Sequence, residues 1–146
     1  IGMGKTSTSG HEGYGLNYLM KNKDLIIMNK KNQISHAKKI ALQMYDNGYT
    51  KPIQRNDIKV LGQQALGAFY VGADSMLVGG YISDHDKKIA KKISNILAGG
   101  NLSQSTLVSE QYLLDLEREA FLSLCGERKT LERIQFMLKN GKPLRN

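Results

Sequence analysis

Residues 83–100 constrain the fold most. Ser83 is followed by Asp84 and Asp86, then Ile89, Ile93, Ile96 and Leu97, and the run closes on Gly99-Gly100. Apolar residues three and four apart fall on one face of an α-helix. A serine with carboxylates in the first turn opens such a helix, because its hydroxyl caps a free N–H and the acids favour the dipole. Glycines close it. The reading predicts a helix with those four apolar residues buried and the pairs Lys87-Lys88 and Lys91-Lys92 facing water.

The same grammar recurs along the chain, so the predicted fold class is mainly α, with at most one short strand. Ser9, with Glu12 three residues on, reads as a capping box for a short helix reaching about Leu16. Asp24-Leu25-Ile26-Ile27-Met28 is a short apolar run and is assigned as the strand. Asn32 or Ser35 opens a helix with Ile34, Ala37, Ile40, Ala41 and Met44 on one face, stopped by Gly48. Lys51-Pro52 to Asp57 is a polar loop and the expected domain boundary, dividing the chain into 1–50 and 51–146. A helix from about Ile58 to Val78 follows. Its small residues Gly62, Ala65, Gly67, Ala68, Gly72 and Ala73 would admit a close neighbour, and each interior glycine costs about 0.5–1 kcal/mol against alanine. Ser109 or Thr106 opens the penultimate helix, with Leu113, Leu116, Ala120 and Leu124 as its face and Gly126 as its stop. The last helix runs from about Arg128 to Lys139, with Gly141 at its C-cap and Pro143 beyond.

Composition narrows the function classes. At 40% hydrophobic and 23% charged residues the chain is globular rather than disordered or fibrous. A single cysteine, Cys125, excludes an internal disulfide framework and suits a reducing compartment. Val60 to Tyr81 carries Gln63, Gln64 and Asp74 among its apolar residues, against a membrane span. The net charge of +8 favours anions. The paired lysines (Lys30-Lys31, Lys38-Lys39, Lys87-Lys88, Lys91-Lys92) read first as solvated faces. They would also suit coenzyme A or nucleic acid, although the interleaved aromatics of nucleic-acid modules are missing.

Individual side chains give little chemistry. Gly2-Met3-Gly4-Lys5-Thr6-Ser7 contains the Gly-Lys-Thr that ends a phosphate-binding P-loop, without the earlier glycine of that motif. His11, His36 and His85 are far apart and have no cysteine near them, so zinc spacing is lacking. His85 reads as a solvated group in a helix first turn, and Cys125 as a structural thiol rather than a nucleophile. Glu117 and Glu119 point to different sides of a helix and form no acid–base pair.

The terminal helix is sharper. With Leu131 at zero, Ile134, Met137 and Leu138 share its stripe, while Phe136 falls at about 140° and Lys139 at about 80° by helical geometry. A large aromatic ring and an ammonium therefore share the opposite face. Packing against a neighbouring segment accounts for such a ring; so does a ligand surface, with the ring for a base and the ammonium for a phosphate.

The run from Glu117-Arg118-Glu119-Ala120-Phe121 through Phe136-Met137-Leu138-Lys139 to Lys142-Pro143 resembles the C-terminal tail of the enoyl-CoA hydratase (crotonase) family. Thr8-Ser9-Gly10-His11-Glu12-Gly13 to Leu19 is similar to that family's short helix after its core. The order of segments looks like the end of a bacterial multidomain 3-hydroxyacyl-CoA dehydrogenase with a hydratase-like last domain. The resemblance implies that residues 1–50 end a crotonase-like core and that 51–146 form a C-terminal helical region. It assigns Phe136 and Lys139, the Phe-x-x-Lys of the tail, to the nucleotide end of coenzyme A or acyl-CoA, and places NAD in the parent protein only. Asn140-Gly141 replaces one basic residue of the family's strap, and Leu144 its last aromatic.

The family's oxyanion hole and acid–base glutamates would precede Ile1, so no catalytic residue and no metal ligand is assigned. The expectation is a cytoplasmic β-oxidation enzyme segment without activity of its own. Its partners would be the rest of the parent enzyme and further copies in a homo-oligomer, with no membrane. The alternative is a non-catalytic basic helical module that binds nucleic acid or an acidic partner.

Overall fold

The computed structural model describes residues 4–146. It is mainly helical, with six α-helices, one short 3-10 turn and a two-stranded sheet among the described residues. The chain divides into two compact units, one running up to Pro52 and the other from Ile53 to Asn146.

The first unit holds α1 (Gly10–Gly15), a 3-10 turn at Lys30–Asn32 and α2 (Gln33–Asp46). Ser9 caps α1 by accepting from Glu12 N, and the Glu12 carboxylate accepts from Thr8 N and Thr8 Oγ1. The capping box is thus displaced by one residue on its acidic arm. The strand expected at 24–28 is absent. Those residues have no neighbouring strand to pair with; instead Tyr14 Oη donates to Asp24 O at 2.7 Å and Met20 N donates to Asp24 Oδ2 at 2.7 Å. Ile26 lies against α1, close enough that a Cβ on Gly10 would stand 2.9 Å from Ile26 Cγ1. The apolar face expected on α2 forms but is uncovered: no residue of that helix is buried.

The Gly2-Met3 part of the P-loop-like run lies outside the described residues. From Gly4 to Ser7 the backbone has no regular structure, and helix begins only at Gly10. Lys5 and Thr6 therefore do not open a helix as a P-loop requires.

The second unit contains β1 (Ile58–Val60), α3 (Gln63–Val78), α4 (Asp84–Ala98), β2 (Thr106–Val108), α5 (Glu110–Cys125) and α6 (Arg128–Asn140). β1 and β2 pair antiparallel, Ile58 with Val108, Lys59 with Leu107 and Val60 with Thr106. The helix expected from Ile58 therefore starts five residues later, and two short strands stand where at most one was expected. Gly62 is the reason. It adopts φ 67°, and a Cβ there would come within 2.7 Å of the carbonyl oxygens of Leu102 and Gln104. Its N–H donates to Ala98 O at 2.9 Å, and Gln63 N donates to Leu102 O at 2.9 Å. A left-handed glycine breaks the helix and admits the 99–105 loop.

α3 packs on α4, α4 on α5, and α5 on α6. The buried apolar residues are small: Val60, Ala73, Ala98 and Ala120. Ala73 is the part of the α3 small-residue stripe that is buried, whereas Gly67 and Gly72 face open space. On α4, Ile89, Ile93 and Ile96 are half-buried as a stripe, but Leu97 is 52% exposed. Its place inside is taken by Ser94 and Ala98, one turn apart on a neighbouring line. Ser83 caps α4 in a full capping box with Asp86, and Gly99 ends it at φ 87°. Ser109 caps α5, and Gly141 ends α6 at φ 64°.

Candidate functional site

Phe136 and Lys139 lie in the last two turns of α6 and border one shallow depression of about 450 Å³. Glu132, Gln135, Asn140 and Leu144 complete its lining. Phe136 is 36% exposed, so its ring is partly seated and partly available. Asn140 Nδ2 donates to Phe136 O at 3.0 Å and closes the last turn. The i, i+3 spacing puts ring and ammonium side by side. Leu144 reaches the depression because Gly141, in the left-handed conformation, turns the chain back along α6.

That return is fastened by a polar clasp. Arg133 Nη1 donates to Asp86 Oδ1 at 2.6 Å, and Arg145 Nη1 donates to the same oxygen at 3.0 Å. Arg133 Nε donates to Asn146 Oδ1 at 2.7 Å and Arg133 Nη2 to Asn146 O at 3.1 Å. Asn146 Nδ2 donates to Glu132 Oε2 at 2.9 Å. Asp86, only 8% exposed, also accepts from Ser83 N at 3.1 Å. Burial pushes its carboxyl up, but the Arg133 guanidinium and the Ser83 hydrogen bonds outweigh this and hold it down at about 2. The carboxylate is thus a fixed negative post between the start of α4, the middle of α6 and the tail.

His85 stands next to it and is not the solvated group its sequence position suggested. It is 4% exposed, and its Nε2 lies 2.9 Å from Thr130 Oγ1. Burial lowers its pKa, and the nearby charges of Arg133 and Lys129 lower it further. The two capping-turn residues of α4 therefore bind α6 rather than water. Sequence reasoning missed this because the partners lie some fifty residues away, and only the arginine inside an otherwise amphipathic α6 hints at it.

The lysines of α4 also differ from the expectation of a purely solvated face. Lys87 Nζ lies 2.6 Å and Lys91 Nζ 3.7 Å from Asp74 Oδ1 of α3, and Lys88 Nζ lies 2.8 Å from Glu127 Oε1. Cys125 is a free, half-buried thiol. Among the described residues no group of three or more His, Cys, Asp or Glu side chains is placed to hold a metal ion. No helix among them is long and apolar enough to cross a membrane.

The doubly wound dinucleotide-binding fold is built from parallel β-α-β units with a glycine-rich turn at the helix start. The antiparallel β1–β2 pair is not such a unit.

No protein-family model matches the chain, and no solved structure matches it. Over all 146 residues it is 45% identical to a probable 3-hydroxyacyl-CoA dehydrogenase of Bacillus subtilis (strain 168), and it spans 18% of that protein's length.

Proposed function

We propose that this chain is a helical segment of a fatty-acid β-oxidation enzyme of the 3-hydroxyacyl-CoA dehydrogenase type, with a hydratase-like last domain. In the intact enzyme the segment covers the acyl-CoA site and supports packing between domains or subunits; it carries no catalytic group. The observation that carries this reading is the 45% identity, over the full 146 residues, to a much longer protein with that printed name. The small core supports it, since large apolar faces left bare in one segment need other parts of a parent protein.

Within that reading, Phe136 and Lys139 hold the nucleotide end of coenzyme A. The half-exposed ring offers a stacking face for a base, and the ammonium offers donors to a phosphate. The clasp of Asp86, Arg133 and Arg145 keeps both in register by fixing α6 and the returning tail. NAD, if the parent uses it for hydride transfer, belongs to other residues of that protein.

The test is steady-state kinetics of the intact enzyme with Phe136→Ala and Lys139→Ala combined. The KM for a 3-hydroxyacyl-CoA should rise about tenfold, the loss expected for one charge-assisted hydrogen bond, with kcat little changed. An unchanged KM in a folded double variant would sink the assignment.

A further inference from the structure

We infer that the groove between α3 and α4 binds a small organic phosphate, at a place separate from the Phe136–Lys139 depression. The groove holds about 460 Å³ and is lined by the four lysines of α4 (Lys87, Lys88, Lys91, Lys92) with Tyr70 of α3 and Asn95. Cavities of about 300–1,000 Å³ are the size that small ligands occupy.

The lysines are held in position. Asp74 draws Lys87 and Lys91 toward α3, and Glu127 holds Lys88. Lys91 Nζ stands 5.0 Å above the centre of the Tyr70 ring, within cation–π range. Each ammonium has three donors, so a lysine engaged with one carboxylate keeps donors for a ligand. Lys92 has no carboxylate within 4.0 Å among the described residues, its nearest recorded charge interaction being a longer-range one with Glu127, and it is the least committed cation of the set. Lys87 with Lys91, and Lys88 with Lys92, are i, i+4 pairs, about 5–6 Å apart at Cβ. Adjacent phosphates would bridge such pairs, and the Asn95 amide extends the donor row by one turn.

The charge balance argues for a small ligand. Asp84 also lines the groove. With Asp74 and Glu127 it sets three carboxylates against the four ammoniums and leaves one net positive charge. A nucleic-acid backbone is held by several uncompensated cations at once. A small phosphate ester needs only a few directed donors, and the Asp84 carboxylate can accept from its hydroxyls.

Isothermal titration calorimetry of the full 146-residue chain with ADP as probe tests the site. Saturable binding is expected. Lys92→Gln should weaken it about tenfold and Lys91→Gln similarly, whereas Lys92→Arg should retain it. All are measured in the Phe136→Ala with Lys139→Ala background, which removes the α6 nucleotide contact proposed above, and Lys38→Gln with Lys39→Gln added to it should stay within about twofold of that background, well under the tenfold step of one charged contact. Far-UV circular dichroism confirms that each variant is folded, and Lys92 makes no ion pair whose loss would unfold α4. Absence of saturable ADP binding overturns the inference. So does an equal loss in the Lys38/Lys39 variant, which would reveal general charge attraction. Binding that vanishes altogether in the Phe136→Ala with Lys139→Ala background would place the phosphate on α6 alone and overturn the groove site, and tighter binding of duplex DNA than of ADP would make the groove a nucleic-acid surface.

Discussion

At the residue scale the decisive group is Asp86. It is buried, shared by two guanidiniums and capped into its own helix. Its carboxyl sits at about 2 in the folded chain against 3.8 as the ordinary value. A carboxylate whose pKa is depressed by folding stabilises the fold fully above the unfolded pKa, and that contribution is lost as pH falls through the folded pKa. The window therefore runs from about pH 4 down to about pH 2, and the difference amounts to about 2 kcal/mol. His85 titrates elsewhere. Its folded pKa lies below the ordinary 6.5, so its contribution is complete above that value and declines as pH falls below it. Asp86→Asn should remove the acid-limb loss and lower stability at neutral pH by about 3 kcal/mol, because Arg133 is left buried without its counter-charge. Urea unfolding at a series of pH values reads both effects. A variant that keeps the wild-type slope between pH 4 and 2 would show that another carboxylate carries it.

At the scale of elements the helix ends organise the unit. Ser109 Oγ accepts from Tyr112 N at 3.1 Å, and Tyr112 Oη then donates to Gly99 O at 2.9 Å. The cap of α5 therefore also seats the ring that closes the C-terminus of α4. Ser109→Ala should cost about 1 kcal/mol, a usual N-cap value, and Ser109→Asp should recover most of it; thermal unfolding measures both. Equal stability of Ser109→Ala and wild type would mean that α4 packing alone positions α5. These ends were legible in the sequence because caps and glycine stops are local: Ser83, Gly99, Ser109, Gly126 and Gly141 all stand where local chemistry put them. What needed distant partners was not legible. The Asp24–Met28 run has the composition of a strand but no neighbour to pair with. Ile58–Val60 continues a helical pattern but meets β2 from nearly fifty residues on. The same holds for the candidate site. The i, i+3 spacing of Phe136 and Lys139 could be read from helical geometry, whereas Leu144 beside them and the Arg145 and Asn146 arms of the clasp depend on the chain turning back at Gly141, and the Arg133–Asp86 pair depends on α6 packing near the start of α4.

At the scale of the whole molecule the surface is too large for the mass. The chain exposes 11503 Å² at 16.3 kDa. A compact monomer of that mass exposes about 7,500 Å², and two separately folded units of these sizes together expose about 9,000 Å². The division into two units therefore accounts for less than half of the excess, and a larger remainder is left. It comes from helix faces without cover: Ile34 on α2, Val71 on α3, Phe121 and Leu122 on α5, and Leu131, Ile134 and Leu138 on α6 are all exposed, Leu138 at 82%. No large side chain is fully buried among the described residues. Apolar surface of this extent on single helix faces favours association in water unless another chain or domain occupies it. The 146-residue chain by itself should therefore self-associate with rising concentration in sedimentation velocity. Ile134→Lys with Leu138→Lys on α6 should shift it toward monomer with only a small fall in its unfolding midpoint, since Leu138 is 82% and Ile134 38% exposed. In the intact parent enzyme the same pair should do the opposite and destabilise, because there the stripe would be covered. A chain that stays monomeric at high concentration, together with a parent enzyme indifferent to the two lysines, would show that these faces meet water in the working protein. The segment would then be an appendage rather than part of the packed body.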